Sequence, residues 1–281
     1  MSPNRRALLG AAAAVPVLGA CGAPSRSQPD STRATRRVRY GDHPSQFADL
    51  RRPTGPSRGT VVLLHGGYWG SAYGLDLMEP LASRLSSMGF TTWNVEYRRV
   101  GDGGGFPETL GDVAAAVDRL AHEGIGRAPL LLGHSAGGQL AVWAASRTSR
   151  TPGGPPVVVP RAVVSLSGVL DLTRAATAPG SAEPVTALMG GPPGGPGGSG
   201  GSYALADPSL LVPAQCPVEA VHARQDEVVP LEQSTSYVAH ARKAGGVARR
   251  VLVPGDHFSL IDPGSSCFAT IRGLLLHPRP R

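Results

Sequence analysis

Five residues near the middle of the chain, Gly133-His134-Ser135-Ala136-Gly137, constrain the fold more than any other stretch. They follow a short apolar run, residues 128–132, and precede a segment of helical character, residues 139–146. Gly-x-Ser-x-Gly between a strand and a helix is the setting of a nucleophile elbow, a turn so tight that side chains at its glycine positions would clash. The turn presents the Ser135 hydroxyl to a cleft, and the amides that follow it lack helical partners and favour negative charge. The sequence therefore predicts a nucleophile beside part of an anion site.

Apolar runs and helical periodicities alternate along the rest of the chain. The segments predicted as strands are 38–40, 60–64, 90–97, 128–132, 161–166, 218–222 and 249–253. The segments predicted as helices are 75–88, 106–121, 139–146, 231–244 and 266–276. This alternation predicts an α/β fold in which a mostly parallel central sheet carries helices on both faces. Functional side chains are then expected at the carboxyl ends of the strands.

The N-terminal 37 residues are not expected to belong to that fold. Arg5 and Arg6 precede an apolar stretch, residues 7–18, that is too short to span a bilayer. It ends in Leu18-Gly19-Ala20-Cys21, which resembles the lipobox of bacterial lipoproteins and implies lipidation of Cys21. We therefore expect an exported protein anchored to the outer face of the cell membrane, or a secreted one if the segment is an ordinary signal peptide. The predicted divisions are a lipoprotein signal peptide at 1–21, a flexible basic tether at 22–37 and a folded domain at 38–281.

The net charge of +7 is concentrated near the N-terminus. Residues 1–39 carry most of the excess arginines, and the remaining domain has a net charge of about +1. A basic tether next to a lipid suits anionic headgroups. The domain has no basic stripe of the kind that follows nucleic-acid phosphates, so nucleic acid is not expected as a partner.

Two features of the domain leave alternatives open. Cys216 and Cys267 are able to pair in an exported protein, or to remain two buried thiols. Between Leu170 and Pro208 the alternation of strands and helices stops, and Gly190–Gly201 is nearly all Gly and Pro. We expect a short, mobile cap loop over the site there, with a surface insertion of no function as the alternative.

A serine hydroxyl needs a base to take its proton and an acid to orient that base. His257 follows the last predicted strand, where a loop reaches back over the sheet, and it is the candidate base. His134 is set aside as a base because it is expected to point away from the cleft of its neighbour. Asp226 follows the preceding strand and is the candidate acid, with Glu227 as a close rival and Asp256 as a poorer one.

The glycines of His65-Gly66-Gly67 follow a buried strand and are expected to turn their amides toward developing negative charge. Together with the amide of Ala136, the amide of Gly66 or Gly67 would complete an oxyanion hole. Tyr68 is a further candidate donor.

Taken together, these motifs resemble the α/β-hydrolase superfamily over roughly residues 38–276. The motifs are His65-Gly66-Gly67-Tyr68-Trp69, the Gly-x-Ser-x-Gly turn, Phe106-Pro107 ahead of Asp112, and Asp226-x-Val228-Val229-Pro230 before a late histidine. With Tyr40-Gly41 and Gln46, the chain is most similar to arylformamidase-like and hormone-sensitive-lipase-like esterases. The resemblance implies Ser135, Asp226 and His257 as a catalytic triad, and neither metal nor organic cofactor.

The resemblance implies a serine hydrolase of carboxylic esters or arylformamides that acts on a small molecule. An exported acetyl or feruloyl esterase of polysaccharides is a second hypothesis, because arylformamidases of tryptophan breakdown act in the cytosol. A tethered, non-catalytic binding protein on the same scaffold is a third. Aromatic residues expected to line an acyl or sugar site are Tyr68, Trp69, Tyr73 and Phe258.

Overall fold

A computed structural model describes residues 35–125, 127–195 and 200–280 of the 281-residue chain. The predicted signal peptide, the lipidation site at Cys21 and most of the predicted tether lie outside the described residues, as does the part of the Gly/Pro stretch at 196–199. None of the helices in the described ranges is both long enough and apolar enough to span a bilayer.

In this part of the chain eight strands form one sheet in the order β1-β2-β4-β3-β5-β6-β7-β8. The strands are β1 (Arg36–Arg39), β2 (Phe47–Arg51), β3 (Thr60–Leu64), β4 (Thr91–Val95), β5 (Leu130–His134), β6 (Ala162–Leu166), β7 (Val218–Ala223) and β8 (Ala248–Val253). The first two are antiparallel to their neighbours, and every pair from β4 to β8 is parallel. The central strands β3 to β7 are buried along their whole length, as expected of parallel strands covered on both faces.

Helices cover both faces of this sheet. They are α1 (Glu79–Ser87), α2 (Glu108–Asp118), α3 (Ala136–Ala145), α4 (Leu172–Ala175), α5 (Ala182–Met189), α6 (Gly200–Ala206), α7 (Glu232–Lys243) and α8 (Phe268–Leu276). Side chains of β3, β5, β6, β7 and β8 enter two separate cores on opposite faces of the sheet: α1 and α8 pack on one core, and α2, α3 and α7 on the other. The predicted α/β architecture is confirmed.

The structure differs from the prediction at the first edge of the sheet. Strand β2 was not predicted, because its residues alternate between buried and half-exposed instead of forming a continuous apolar run. Asp49 and Arg51 on its more exposed side interrupt the hydrophobic pattern. Strand β1 begins at Arg36, so the last two residues of the predicted tether belong to the sheet.

The region between Leu170 and Pro208 is not all loop, because α4, α5 and α6 lie within it, and the cap loop predicted at Gly190–Gly201 stays a prediction. Val185, Leu188 and Met189 of α5 are buried, and α5 ends at Gly190 in the left-handed conformation (φ 74°) that glycine favours at helix ends. The glycines and prolines around residues 190–201 mask the sequence pattern of two short apolar helices, α5 before this stretch and α6 at its end. The segment between Leu170 and Pro208 therefore consists partly of packed helices.

Cys216 and Cys267 are both thiols and do not form a disulfide with each other. Cys216 belongs to the core on the α2, α3 and α7 face of the sheet, and Cys267 to the core on the opposite face. The sheet lies between the two cores, which settles the alternative that the sequence left open.

Candidate active site

Ser135 occupies the turn between β5 and α3, with φ 54° and ψ −120°. A residue other than glycine is strained in that region and persists there only when its surroundings fix it. A Cβ atom at Gly133 would lie 2.0 Å from the Gly137 carbonyl oxygen, and one at Gly137 would lie 2.1 Å from the Leu64 carbonyl oxygen. The predicted reason for the two glycines, a clash with any side chain, is confirmed.

Asp226 and His257 meet at the carboxyl ends of β7 and β8. The Nδ1 atom of His257 lies 2.8 Å from Oδ2 of Asp226. The other carboxylate oxygen accepts hydrogen bonds from the amides of Val228 (2.9 Å) and Val229 (2.8 Å). Since the carboxylate is the acceptor, Nδ1 of His257 carries the proton, and Nε2 is left to accept one.

The Asp226 carboxyl group is held in its ionised form. Burial alone would raise its pKa, but hydrogen bonds from His257, the Ser167 hydroxyl and the Val229 amide bring the pKa well below its ordinary value. The rival acids lie elsewhere. Glu227 is exposed, and Asp256 accepts hydrogen bonds from the amides of residues 258 and 259 in its own turn.

Ser135 and His257 line one small cavity of about 60 Å³. Both residues are buried, and each is only 3% exposed. They share the cavity without a direct hydrogen bond, a contact that in hydrolases often tightens only when substrate binds. Its remaining walls are largely apolar and include Leu77, Val228, Phe258 and Ile261. Within the described ranges no group of three or more His, Cys, Asp or Glu side chains is arranged to hold a metal ion.

His134 lines this cavity as well, which corrects the expectation that it points away. Its Nε2–H donates to the carbonyl oxygen of His257 (2.9 Å), and the two rings lie 4.5 Å apart. Burial and the charge of His257 lower the pKa of His134 to about 3. His134 is therefore a neutral ring that holds the backbone of the His257 loop.

The backbone of the glycine loop, defined here as residues 65–75 after β3, lies against the serine turn. A Cβ atom at Gly66 would approach the Cβ atom of Ser135 to 3.0 Å. Gly67 has φ 105° and lines the cavity of Ser135. On the other side of the turn, Ala136 is the first residue of α3, so its amide has no acceptor within the helix.

The aromatic residues predicted to line a substrate site separate into two groups. Tyr68 and Phe258 line the small cavity, and so does Tyr73. Trp69 does not: it is 1% exposed, and its indole Nε1–H donates to Oε1 of Gln139 on α3 (3.0 Å). The prediction for Trp69 is wrong, because the indole packs in the hydrophobic core and Gln139 accepts its N–H.

A wider cavity of about 500 Å³ adjoins the small one. Gly67, Tyr68 and Tyr73 line both, so the glycine loop forms a wall common to the two. The far side of the wider cavity is formed by α5, including Glu183. The site therefore consists of a confined reaction centre next to an open groove.

This mostly parallel sheet has a strained serine turn after β5, and an aspartate and a histidine meet in the loops after β7 and β8. Together these features define a protein of the α/β-hydrolase fold. Residues 49–240, about two thirds of the chain, match the BD-FAE family, and the chain belongs to that family. A comparison with curated proteins gives no significant match.

Solved structures share this fold at low sequence identity. A truncated carbohydrate esterase from gut microbiota has a TM-score of 0.76 and 20% identity, covering 88% of this chain and 97% of that one. Esterase B from Lactobacillus rhamnosis has a TM-score of 0.72 and 21% identity, covering 88% and 85%. Carboxyl esterase 2 from the mycorrhizal fungus Tuber melanosporum has a TM-score of 0.68 and 18% identity, covering 92% and 88%. The arylformamidase-like or lipase-like subfamily stays a prediction.

Proposed function

We propose that this protein is a serine hydrolase that cleaves carboxylic esters through an acyl-enzyme, with Ser135, His257 and Asp226 as its triad. The observation that carries the proposal is the 2.8 Å contact between His257 and Asp226 beside the cavity that Ser135 lines. His257, 122 residues away from Ser135 in the chain, lines the same small cavity, and Asp226 binds His257 from behind.

In the proposed reaction the Ser135 oxygen bonds to the ester carbonyl carbon while Nε2 of His257 accepts the hydroxyl proton. The carbonyl π electrons move to its oxygen, which becomes an oxyanion. When the oxyanion collapses, the bond to the alcohol oxygen breaks, and His257 returns the proton to that oxygen. Water then attacks the acyl-enzyme by the same sequence, releasing the acid and restoring Ser135. Asp226 stabilises the imidazolium that forms in each half-reaction.

The oxyanion would be bound by backbone amides on both sides of the serine turn. Ala136 offers the first amide of α3, where the helix dipole also favours negative charge. Gly66 and Gly67 offer amides from the glycine loop, which lies against Ser135. Donors fixed in a small apolar cavity stabilise charge more than donors in water, because they need no reorganisation.

The esterified groups of a carbohydrate are the substrate that the surroundings of the cavity favour. Tyr68, Tyr73 and Phe258 present aromatic surface next to the reaction centre, and Tyr73 (49% exposed) and Phe258 (61% exposed) are open to solvent. Such rings pack well against sugar rings or aromatic acyl groups. The similarity of the fold to a carbohydrate esterase supports this choice over an arylformamide.

Replacing Ser135 with alanine tests the reaction. We expect Ser135→Ala to reduce turnover of p-nitrophenyl acetate at least 10³-fold, because the bond-forming atom is removed. Ser146→Ala, which removes a hydroxyl bonded to the Val142 carbonyl on α3, serves as the matched control and should retain full activity. Equal activity in Ser135→Ala and wild type would refute the assignment.

A fluorophosphonate probe separates an enzyme from a non-catalytic binding protein on the same scaffold. We expect stoichiometric labelling of wild type and none of Ser135→Ala. A wild-type protein that neither reacts with the probe nor hydrolyses any ester would favour the binding protein.

The substrate class is tested by comparing acetylated xylan, feruloylated oligosaccharides, p-nitrophenyl esters and N-formylkynurenine at equal enzyme concentration. We expect the highest kcat/KM on a carbohydrate ester. A preference for N-formylkynurenine would instead place the protein with the arylformamidases.

We further propose that the protein is exported and anchored to the outer face of the membrane through a lipid on Cys21. The support is the apolar segment that ends in Leu18-Gly19-Ala20-Cys21. Fractionation of cells that express wild type or Cys21→Ser tests it. Release of the variant into the soluble fraction is expected, and equal membrane association of both would contradict it.

A further inference from the structure

A buried acid behind the glycine loop has no part in the reaction described above. Glu96 directly follows β4, and only 6% of its surface is exposed. Its Oε1 atom lies 3.0 Å from Nε2 of His65 and 3.1 Å from a guanidinium nitrogen of Arg99. Its Oε2 atom accepts a hydrogen bond from the amide of Leu75 (3.0 Å). One carboxylate therefore binds both ends of the glycine loop, residues 65 and 75.

The glycine loop closes tightly on this carboxylate. A Cβ atom at Gly74 would lie 2.8 Å from Oε2 of Glu96, so any larger residue there would displace the carboxylate from its present position. Burial raises the pKa of Glu96, but the hydrogen bond and charge of His65, the Leu75 amide and Arg99 outweigh it, so the pKa lies below its ordinary value. The carboxylate is ionised and acts only as an acceptor.

His65 lies between Glu96 and Gly66 and contacts both. Its ring is fully buried and stacks on Tyr97, with centroids 4.2 Å apart and planes 5° apart. Nδ1 lies 2.7 Å from the carbonyl oxygen of Gly66, and Nε2 faces Glu96. Each ring nitrogen therefore lies within hydrogen-bonding distance of an acceptor, and the ring is held between the Gly66 carbonyl and the Glu96 carboxylate.

The position of the Gly66 carbonyl also fixes the direction of the Gly67 N–H, which belongs to the same peptide group. The peptide between Gly66 and Gly67 is trans, so its C=O and N–H point in opposite directions. Because the carbonyl is bound by His65, the Gly67 N–H is directed to the other side of the loop, where Gly67 lines the cavity of Ser135.

We propose that Glu96 is a positioning residue for the oxyanion hole, acting through His65 to hold the Gly67 amide toward Ser135. This inference rests on the proposed function, because it assigns the amide a role in the same reaction. A buried carboxylate is costly unless it is well coordinated, and the carboxylate of Glu96 has His65, the Leu75 amide and Arg99 as partners. The contribution should appear mainly in the transition state, since the oxyanion exists only there.

The test compares Glu96→Gln with Glu219→Gln. Glu219 is a buried glutamate on β7 that pairs with Arg249 and Arg279 and lines neither cavity, so it undergoes the same chemical change away from the site. We expect Glu96→Gln to lower kcat 10- to 100-fold on p-nitrophenyl acetate with KM within twofold. Glu219→Gln should keep kcat within twofold.

A trifluoromethyl ketone distinguishes positioning from general loosening, because its adduct with Ser135 places an oxyanion in the hole. We expect its inhibition constant to rise in Glu96→Gln by the same factor as kcat/KM falls. A kcat within twofold of wild type, or a loss of kcat with unchanged ketone affinity, would overturn the proposal.

Tyr97→Phe provides a second variant if Glu96→Gln does not fold, as judged by circular dichroism. It removes only the hydroxyl that donates to the His65 carbonyl (2.8 Å) and keeps the stacked ring. A threefold to tenfold loss of kcat with unchanged KM is expected, and no loss would count against the proposal. A wild type with no ester turnover would refute the proposed function itself, whereas an active wild type with an unaffected Glu96→Gln would refute only the positioning role.

Discussion

Two histidine–carboxylate pairs lie on opposite sides of the serine turn, and they differ in what the second nitrogen of the imidazole faces. In the pair of His257 and Asp226, Nδ1 binds the carboxylate, and the ring lines the cavity. In the pair of His65 and Glu96, Nε2 binds the carboxylate, and Nδ1 is bound to the Gly66 carbonyl. In the first pair one imidazole nitrogen therefore stays open to the cavity, whereas in the second pair both nitrogens are held against oxygen atoms.

The comparison shows that a histidine and an acid at hydrogen-bonding distance do not by themselves identify a catalytic pair. The deciding feature is access: His257 has a nitrogen free to exchange a proton within the cavity, whereas the ring of His65 is enclosed by Tyr97, Gly66 and Glu96. The first pair should govern proton transfer, and the second the position of the backbone.

The largest effect is expected from Asp226→Asn. The amide removes the charge that stabilises the imidazolium and no longer fixes the tautomer of His257, so kcat should fall about 10³- to 10⁴-fold. This loss should exceed the 10- to 100-fold loss in Glu96→Gln. Steady-state kinetics with p-nitrophenyl acetate measures both.

Glu227→Gln is the matched control for Asp226→Asn, because it neutralises the exposed acid next in the chain. Its kcat should stay within twofold of wild type. The comparison of the two pairs would break down if Glu227→Gln lost more activity than Asp226→Asn, or if the loss in Glu96→Gln were the larger.

His134 lies between the two pairs, and it should make stability depend on pH. Its pKa is about 3 in the folded protein and about 6.5 in the unfolded chain, so the unfolded chain binds a proton that the folded protein excludes. The stabilisation is therefore complete above about pH 6.5 and is lost as the pH falls toward 3. Between pH 7 and pH 4 the loss should be about 3 kcal/mol of unfolding free energy.

His134→Gln keeps an N–H group near the His257 carbonyl and cannot titrate. Urea unfolding of both proteins at pH 7 and pH 4 isolates the contribution of residue 134, since the other titrating groups are shared. We expect the variant to lose less stability on acidification than wild type. Identical losses would show that the ring of His134 is protonated in the folded protein.

The smallest effects are expected at two aromatic residues, one buried in the core and one exposed at the cavity. Trp69→Phe keeps most of the buried ring but leaves the Gln139 oxygen without its donor, so it should cost about 1–2 kcal/mol of stability with KM unchanged.

Phe258→Ala, at an exposed position on the cavity, should change stability by less than about 0.5 kcal/mol and raise KM a few-fold. Thermal unfolding and steady-state kinetics check both. A raised KM in Trp69→Phe would show that the ring reaches substrate.

Much of the fold was predictable because parallel strands are apolar on both faces. The runs at β3 and β6 coincide with their predicted positions to within one residue. Strand β2 and the helices α5 and α6 were not predictable in the same way. The side chains of β2 alternate in burial at a sheet edge, and α5 and α6 are short helices surrounded by glycine and proline.

The candidate site was predictable where a local motif or its place after a strand marked the residue. Ser135 has its glycines, and Asp226 and His257 follow the last two strands. Glu96 also follows a strand directly, which is the pattern that could have revealed it, but no local motif marks its contact with His65, 31 residues away.

By itself the sequence determined the strained serine turn, since no side chain larger than hydrogen fits at Gly133 or Gly137. It also determined the order of buried strands that brings the loops to one edge of the sheet. Only the tertiary structure decided between Asp226, Glu227 and Asp256, and sent Trp69 into the core. Those outcomes depend on directions of side chains in loops, which are set by contacts between segments far apart in the chain and leave no periodic pattern in the sequence.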